Sequence, residues 1–242
     1  MESSSQIIET TNKPHPATGH VMESVAVKAF LAHRYTLKDS ISNVFSAKFS
    51  PDGNYIAASY ADGTVHVHSE FKGDRIYQPK ILERKSESKD PRTPRMPQVI
   101  IKPLITSISW RPARGEEIAY HTFKAATSDG RVLSWKPENG QELETLFTSE
   151  INYYHTIDHS NDGGKKFVCA GKLPMLEIYD DETLKRVSFF DTGDRIGHVN
   201  KIFCAKFDLD NPNVIYSGGW DRNVCIWDIR AGGNHCGTIF GP

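Results

Sequence analysis

Nowhere in the 242 residues does an apolar run approach the twenty needed to cross a bilayer as a helix, so a helical membrane span is excluded. An excess of one charge is also missing. Lys and Arg number 29 against 30 Asp and Glu, the formal net charge is −1 and the pI is about 6.8, so no global field draws the chain to nucleic acid. Glycine-rich phosphate loops are absent, and Gly232-Gly233 reads as a turn between strands. Cysteine is scarce and shows no CxxC spacing: Cys169, Cys204, Cys225 and Cys236 are expected on four different strands as buried free thiols. The first twenty residues hold Glu2, Glu9, several Ser and Thr and two prolines, without a basic start followed by an apolar stretch. That is no secretory signal, and the expected location is cytoplasmic or another reducing intracellular compartment, cytoskeletal and nuclear sites included. No segment reads as a long helix.

What the chain does contain is a repeat. Gly197-His198 opens a unit closed by Trp227-Asp228, and weaker copies lie upstream. Trp135 and Trp227 stand 92 residues apart, two periods of 46, with Tyr179-Asp180 between them. A period in the forties with four short strand-like runs per unit predicts an all-β chain, a β-propeller of four-stranded antiparallel blades. Four blades are placed at about 41–82, 105–148, 151–190 and 197–240. Asp62-Gly63 and Asp129-Gly130, each between β-prone runs, are hairpin signals because glycine accepts the positive φ of primed turns. The first unit's outer strand is expected near Arg75–Leu82, and it carries His68 where the others carry Trp or Tyr.

Residues 1–23 read as a flexible tail and 24–242 as the propeller, with Val25–Leu31 as an extra strand before the first blade. An insert at 72–103 carries Pro79, Pro91, Pro94, Pro97 and Pro103, with Lys80, Arg84, Lys85, Lys89, Arg92 and Arg95. Proline at that density does not join a sheet interior, so a surface loop is predicted, with local positive charge suited to an acidic partner. Thr93-Pro94 has the form of a proline-directed phosphorylation site. His66 and His68 share one face of a strand and His235 precedes Cys236, but zinc needs three or four such ligands at suitable spacing, so no metal and no cofactor are expected.

These units resemble the WD-repeat family, the fourth most closely. In that family a His entering the blade, a Ser or Thr on the second strand, an Asp in the following turn and a Trp on the third strand form a hydrogen-bonded tetrad. His198, Ser217, Asp221 and Trp227 occupy the matching positions. The second unit keeps Asp129 and Trp135 but has Ala125 in place of the hydroxyl; the first keeps Asp62 but has Ala58 and, in place of Trp, His68; the third has Tyr179 and no turn Asp. A Ser, His and Asp brought together also resemble a catalytic triad, but a triad requires an exposed nucleophile and an oxyanion site.

The resemblance implies a non-catalytic scaffold for protein–protein interactions within a multi-protein complex. The alternatives are a peptide or modified-residue reader, such as a ubiquitin-ligase substrate adaptor, and, less favoured, a propeller enzyme. Trp220, just before the turn Asp, is the foremost candidate contact, flanked by Asn200 and Arg222, with Ser128 its equivalent on the second blade. Expected partners are other proteins or peptides, not a small-molecule substrate, a membrane or nucleic acid. Family members usually close with seven blades, so the resemblance implies that these four belong to a seven-bladed ring as a piece of a longer propeller; the alternatives are completion of the ring by another chain or a second copy, and closure of the four blades alone.

Overall fold

The computed structural model describes residues 36–37, 42–81, 103–112, 121–190, 197–231 and 235–240. The chain divides into two units, Met1–Leu37 and Lys38–Pro242, and all the strands named here lie in the second. The expected tail, the Val25–Leu31 strand, Thr93 and most of the 72–103 insert lie outside the described residues.

The first sheet contains β1 (Val44–Phe49), β2 (Tyr55–Tyr60), β3 (Val65–Ser69) and β4 (Arg75–Tyr77), hydrogen-bonded in that order. β5 (Lys80–Ile81) follows at once. The second sheet contains β6 (Ile105–Trp110), β7 (Phe123–Thr127), β8 (Arg131–Trp135) and β9 (Glu142–Thr148). The third holds β10 (Tyr154–His159), β11 (Lys166–Gly171), β12 (Leu176–Asp180) and β13 (Arg186–Phe190), and the fourth β14 (Ile202–Phe207), β15 (Val214–Gly219), β16 (Asn223–Asp228) and β17 (His235–Phe240). The chain is therefore all-β, a four-bladed propeller of mainly antiparallel sheets. Helix among the described residues amounts to two 3-10 turns, Pro137–Asn139 and Ile229–Ala231.

The hairpins form where the sequence punctuates them. Gly53, Gly63 and Gly130 all have φ between 74° and 86°, which side chains with a Cβ rarely adopt. Successive innermost strands pack against one another, β1 on β6, β6 on β10 and β10 on β14. Between the blades lie three apolar clusters: around Trp110, Phe123 and Trp135; around Tyr154, Phe167 and Tyr179; and around Phe190, Phe207 and Trp227. Aromatic side chains dominate these seams because each buries a large area at the cost of two torsions.

Two expectations require correction. The outer run predicted at Arg75–Leu82 is not one strand: Arg75–Tyr77 closes the first sheet, while Lys80–Ile81 pairs in parallel with Glu142–Leu143 at the edge of the second, which becomes five-stranded. Pro79 supplies the break, since it has no N–H for a ladder. Its carbonyl still accepts from the Val65 N–H at 3.3 Å, and the Lys80 N–H goes to the Gln141 carbonyl at 2.9 Å. The second correction concerns the thiols. Cys169 and Cys225 are buried, but Cys204 is exposed, on the side of the fourth sheet turned away from the third.

On that side Tyr216 and Val224 are also exposed, as are Phe45 and Phe49 on β1 of the first sheet. Among the described residues no packing comparable to that between neighbouring blades joins β14 to β1.

Candidate functional site

In the fourth blade the four residues picked out by the repeat come together. Ser217 on β15 and Trp227 on β16 lie on the face of the sheet that packs against the third blade; His198 and Asp221 come from the loops entering β14 and joining β15 to β16. The Trp227 indole N–H donates to Ser217 Oγ at 2.7 Å, Ser217 Oγ lies 2.8 Å from His198 Nε2, and His198 Nδ1 lies 2.9 Å from Asp221 Oδ2. The donors and acceptors match if the Ser217 hydroxyl donates to Nε2 and Nδ1–H donates to the carboxylate. Asp221 also accepts the backbone N–H groups of Val199 and Asn223. Burial alone would raise the Asp221 carboxyl, but the Val199 N–H, His198 and the Asn223 N–H together hold it below the ordinary carboxylate range.

This relay has the Asp–His–Ser order of a triad, and its burial argues against that use. His198 is 0% and Ser217 2% exposed, and the serine oxygen is already engaged by the indole N–H. A substrate carbonyl has no route to that oxygen, whereas a hydrolytic nucleophile must meet one. Joining two loops to two strands is a structural role, and the chemistry suits it.

The degenerate blades replace the relay with other bonds. In the second, Ala125 faces Leu133 where a hydroxyl would be, and the Trp135 indole N–H donates instead to the Gly140 carbonyl at 2.9 Å. The first blade repeats this arrangement with an imidazole, His68 Nδ1 lying 3.2 Å from the Gly73 carbonyl, again five residues on. In the third, a buried carboxylate unseen at the level of motifs takes over: Glu177 accepts from Tyr154 OH at 2.9 Å and Tyr179 OH at 3.2 Å, with Arg186 Nη1 at 3.2 Å. Burial foremost pushes the Tyr154 phenol well above its ordinary value, so it remains a donor.

The candidate contact residues fare differently. Trp220 is 63% exposed, its N–H fixed to the Lys201 carbonyl at 2.8 Å. Asn200 and Arg222 flank it on the surface, Asn200 Oδ1 accepting the Lys201 N–H and Arg222 held at φ 66°. Ser128 sits at the equivalent turn, its hydroxyl accepting the Leu104 N–H at 3.0 Å and keeping its own O–H as a donor.

Residues without a motif signal complete the surface. Each innermost strand has a register shift at the same place, between Val44 and Ser46, Ile105 and Ser107, Tyr154 and Thr156, and Ile202 and Cys204. The shifts set off Phe45, Thr106, His155 and Phe203, and a bulge re-aims the side chain it carries. His155 and Phe203 stack at 5.0 Å across the third and fourth blades, and Phe203 meets the Trp220 ring at 5.5 Å. Lys201 Nζ lies 5.4 Å over Trp220 and Lys172 Nζ 4.8 Å over Tyr153. Ile151 and Val199, close in sequence to Tyr153 and Lys201, are exposed as well. Among the described residues no group of three or more His, Cys, Asp or Glu side chains is arranged to hold a metal ion. No helix there is long and apolar enough to cross a membrane.

The family model for the WD domain, G-beta repeat, matches residues 31–69 and 190–228, which overlap the first and fourth blades. The chain is 22% identical over 127 residues to a histone acetyltransferase type B subunit 2 of Candida glabrata, covering 52% of this chain and 28% of that protein. It is 20% identical over 207 residues to a guanine nucleotide-binding protein subunit beta of Oryza sativa subsp. japonica, covering 85% and 49%. It is 24% identical over 210 residues to a WD repeat and SOCS box-containing protein 1 of Danio rerio, covering 76% and 49%. The chain spans half or less of the length of these curated relatives.

Proposed function

Because the chain is a WD-repeat protein, we propose that it serves as a non-catalytic platform for protein–protein interactions, seating a partner on the loop surface around Trp220. The observation that carries this reading is Trp220 itself, a large side chain 63% exposed yet held by its backbone bond, by Phe203 and by Lys201. A preorganised Trp loses little freedom on binding, and such residues are enriched among those that dominate interfaces. Lys172 and Lys201 beside the aromatic rings favour a partner that brings acidic side chains around an apolar anchor. The order of the blades supports the division of labour: the tetrad stiffens the two loops that present Asn200, Trp220 and Arg222. A cytoplasmic or other reducing intracellular setting is part of the same proposal, and so is a partner chain, or a second copy, against the exposed side of the fourth sheet.

The likeness to a SOCS box-containing relative favours a second reading, a reader of peptides or modified residues acting as a ubiquitin-ligase adaptor. Affinity purification of the tagged wild-type chain and of Trp220→Ala tests both. Partners retained by the wild type and lost by a folded Trp220→Ala support the platform; ligase subunits among them select the adaptor. Unchanged recovery of all partners by the variant defeats the assignment of Trp220.

A further inference from the structure

All four blades make the same backbone bond where the innermost strand begins. The residue before that strand offers its carbonyl to the N–H of the residue after the second strand: Asn43 to Ala61 and Leu104 to Ser128 at 2.9 Å, Tyr153 to Lys172 and Lys201 to Trp220 at 2.8 Å. The registers, with Val44 opposite Tyr60, Ile105 opposite Thr127, Tyr154 opposite Gly171 and Ile202 opposite Gly219, make the four pairs structurally equivalent. What they carry differs. The first blade places Asn and Ala there and the second Leu and Ser, whereas the third and fourth each place one lysine and one large aromatic, in opposite order.

Reversing the order leaves the side-chain geometry alike. Lys172 Nζ lies 4.8 Å from the centre of the Tyr153 ring and Lys201 Nζ 5.4 Å from that of Trp220, both within the reach at which a ring face attracts a cation. A glycine precedes the second member in each case and keeps the backbones close: a Cβ on Gly171 would lie 1.8 Å from the Tyr153 carbonyl oxygen, and one on Gly219 2.9 Å from that of Lys201. Tyr153 is 44% exposed, so its ring, like that of Trp220, is open to a partner. Among the described residues neither lysine forms an ion pair, and each ammonium keeps donors for an incoming anion. Against Lys172, Lys201 and Arg222 stand two described carboxylates, exposed Glu150 and the Asp221 of the tetrad, and Asp221 is already engaged by His198 and two backbone N–H groups. The surface is therefore net positive. The two pairs are also neighbours: Tyr153 stands two residues before His155, whose ring stacks on Phe203 at 5.0 Å, and Phe203 meets Trp220 at 5.5 Å.

We infer that Tyr153 and Lys172 form a second anchor subsite equivalent to Trp220 and Lys201, and that the partner is an extended acidic peptide segment with two apolar side chains, each beside a carboxylate. The inference rests on the platform reading of Trp220 and extends it to the third blade. At each subsite the apolar side chain lies against the open part of the ring while the carboxylate accepts a charge-assisted hydrogen bond from the ammonium. Packed sheets lie on the order of 10 Å apart, a distance that about three extended residues span, which sets the spacing of the two anchors. A segment held at one subsite meets the other intramolecularly, so occupying both raises affinity far beyond the doubling that two independent sites give.

The test is calorimetry on the full chain with three synthetic peptides: one with a single Asp-Phe unit, one with two such units joined by Gly-Ser spacers of varied length, and the two-unit peptide with Lys in place of each Asp. At the best spacing the two-unit peptide binds at least tenfold tighter than the single unit, and the Lys-bearing peptide at least tenfold more weakly than its Asp counterpart. Both Tyr153→Ala and Lys172→Gln bring the two-unit peptide to within about twofold of the single-unit affinity. Lys172 is exposed and its replacement leaves the core untouched, so a folded Lys172→Gln decides the matter should Tyr153→Ala fail to fold. Absence of saturable binding by the two-unit peptide, no gain over the single unit at any spacing, or wild-type affinity in Lys172→Gln overturns the inference. Weaker binding in Trp220→Ala with wild-type binding in Tyr153→Ala and Lys172→Gln removes the second subsite alone, whereas unchanged binding of both Asp-Phe peptides by Trp220→Ala defeats the platform reading beneath it.

Discussion

Replacing Ser217 by alanine removes one oxygen and deprives two buried groups of their partner, the Trp227 indole N–H at 2.7 Å and His198 Nε2 at 2.8 Å. Ser217 is 2% exposed, so water does not restore either bond. Each stranded group costs about 1–3 kcal/mol, and with overlap between them a loss of about 2–4 kcal/mol of folding free energy is expected. For a unit of this size every 1 kcal/mol lowers Tm by roughly 2–4 °C. The single variant does not separate the relay from general damage, but a double-mutant cycle does. Trp227→Phe keeps most of the ring packing against Phe190, at 5.1 Å, and deletes the N–H. In that background Ser217→Ala strands one group instead of two, so its cost falls, and a coupling of about 1 kcal/mol or more is expected in urea unfolding. Independent effects, additive within about 0.3–0.5 kcal/mol, would refute the bonded relay.

Four further outcomes follow from the same geometry. Gly171→Ala would place a Cβ 1.8 Å from the Tyr153 carbonyl oxygen and should lower the urea midpoint far more than Gly237→Ala, where the added methyl meets nothing within 4 Å; equal midpoints would contradict the close approach. Cys204 is the exposed thiol among the three whose burial is described, so Cys204→Ser should remove a fast-reacting thiol in a maleimide titration under native conditions. Acid should destabilise the fold in two stages. His159 is held below its ordinary value chiefly by burial and Asp221 by its hydrogen bonds, so the unfolded chain binds more protons in each case, and stability declines below about pH 6.5 and again below about pH 4. Urea midpoints from pH 8 to 3 check this, and a rise on acidification would reverse the sign. If a second copy covers the exposed sides of the first and fourth sheets, light scattering gives twice 27.2 kDa, and a monodisperse monomer at high concentration would exclude it.

The strands and their order were legible because the information is local. Two-residue alternation and Asp-Gly turns mark β2, β3, β7 and β8 within a few residues, and the Gly-His to Trp-Asp spacing locates His198, Ser217, Asp221 and Trp227. What escaped was set by contacts between blades. Lys124 and Asp181 are 57 residues apart and show no shared spacing, yet they meet because β7 and the turn after β12 face the same seam. Glu177 belongs to no motif, and its role emerges only where Tyr154 and Tyr179 close over it. The register shifts behind the His155–Phe203 stack leave no mark in composition, since any residue can be the extra one in a bulge. The two-residue β5 is too short for periodicity to register at all.

The parallel pairing of Lys80–Ile81 with Glu142–Leu143 has a consequence for the bridge between the first two blades. Ile81 and Ile105 stand at opposite margins of a five-stranded sheet, about 20 Å apart at roughly 4.8 Å per strand. The first blade thus lends the second an extra edge strand, so backbone hydrogen bonds as well as the apolar cluster around Trp110 and Trp135 tie the two sheets together, and a substitution that loosens that edge is felt in both.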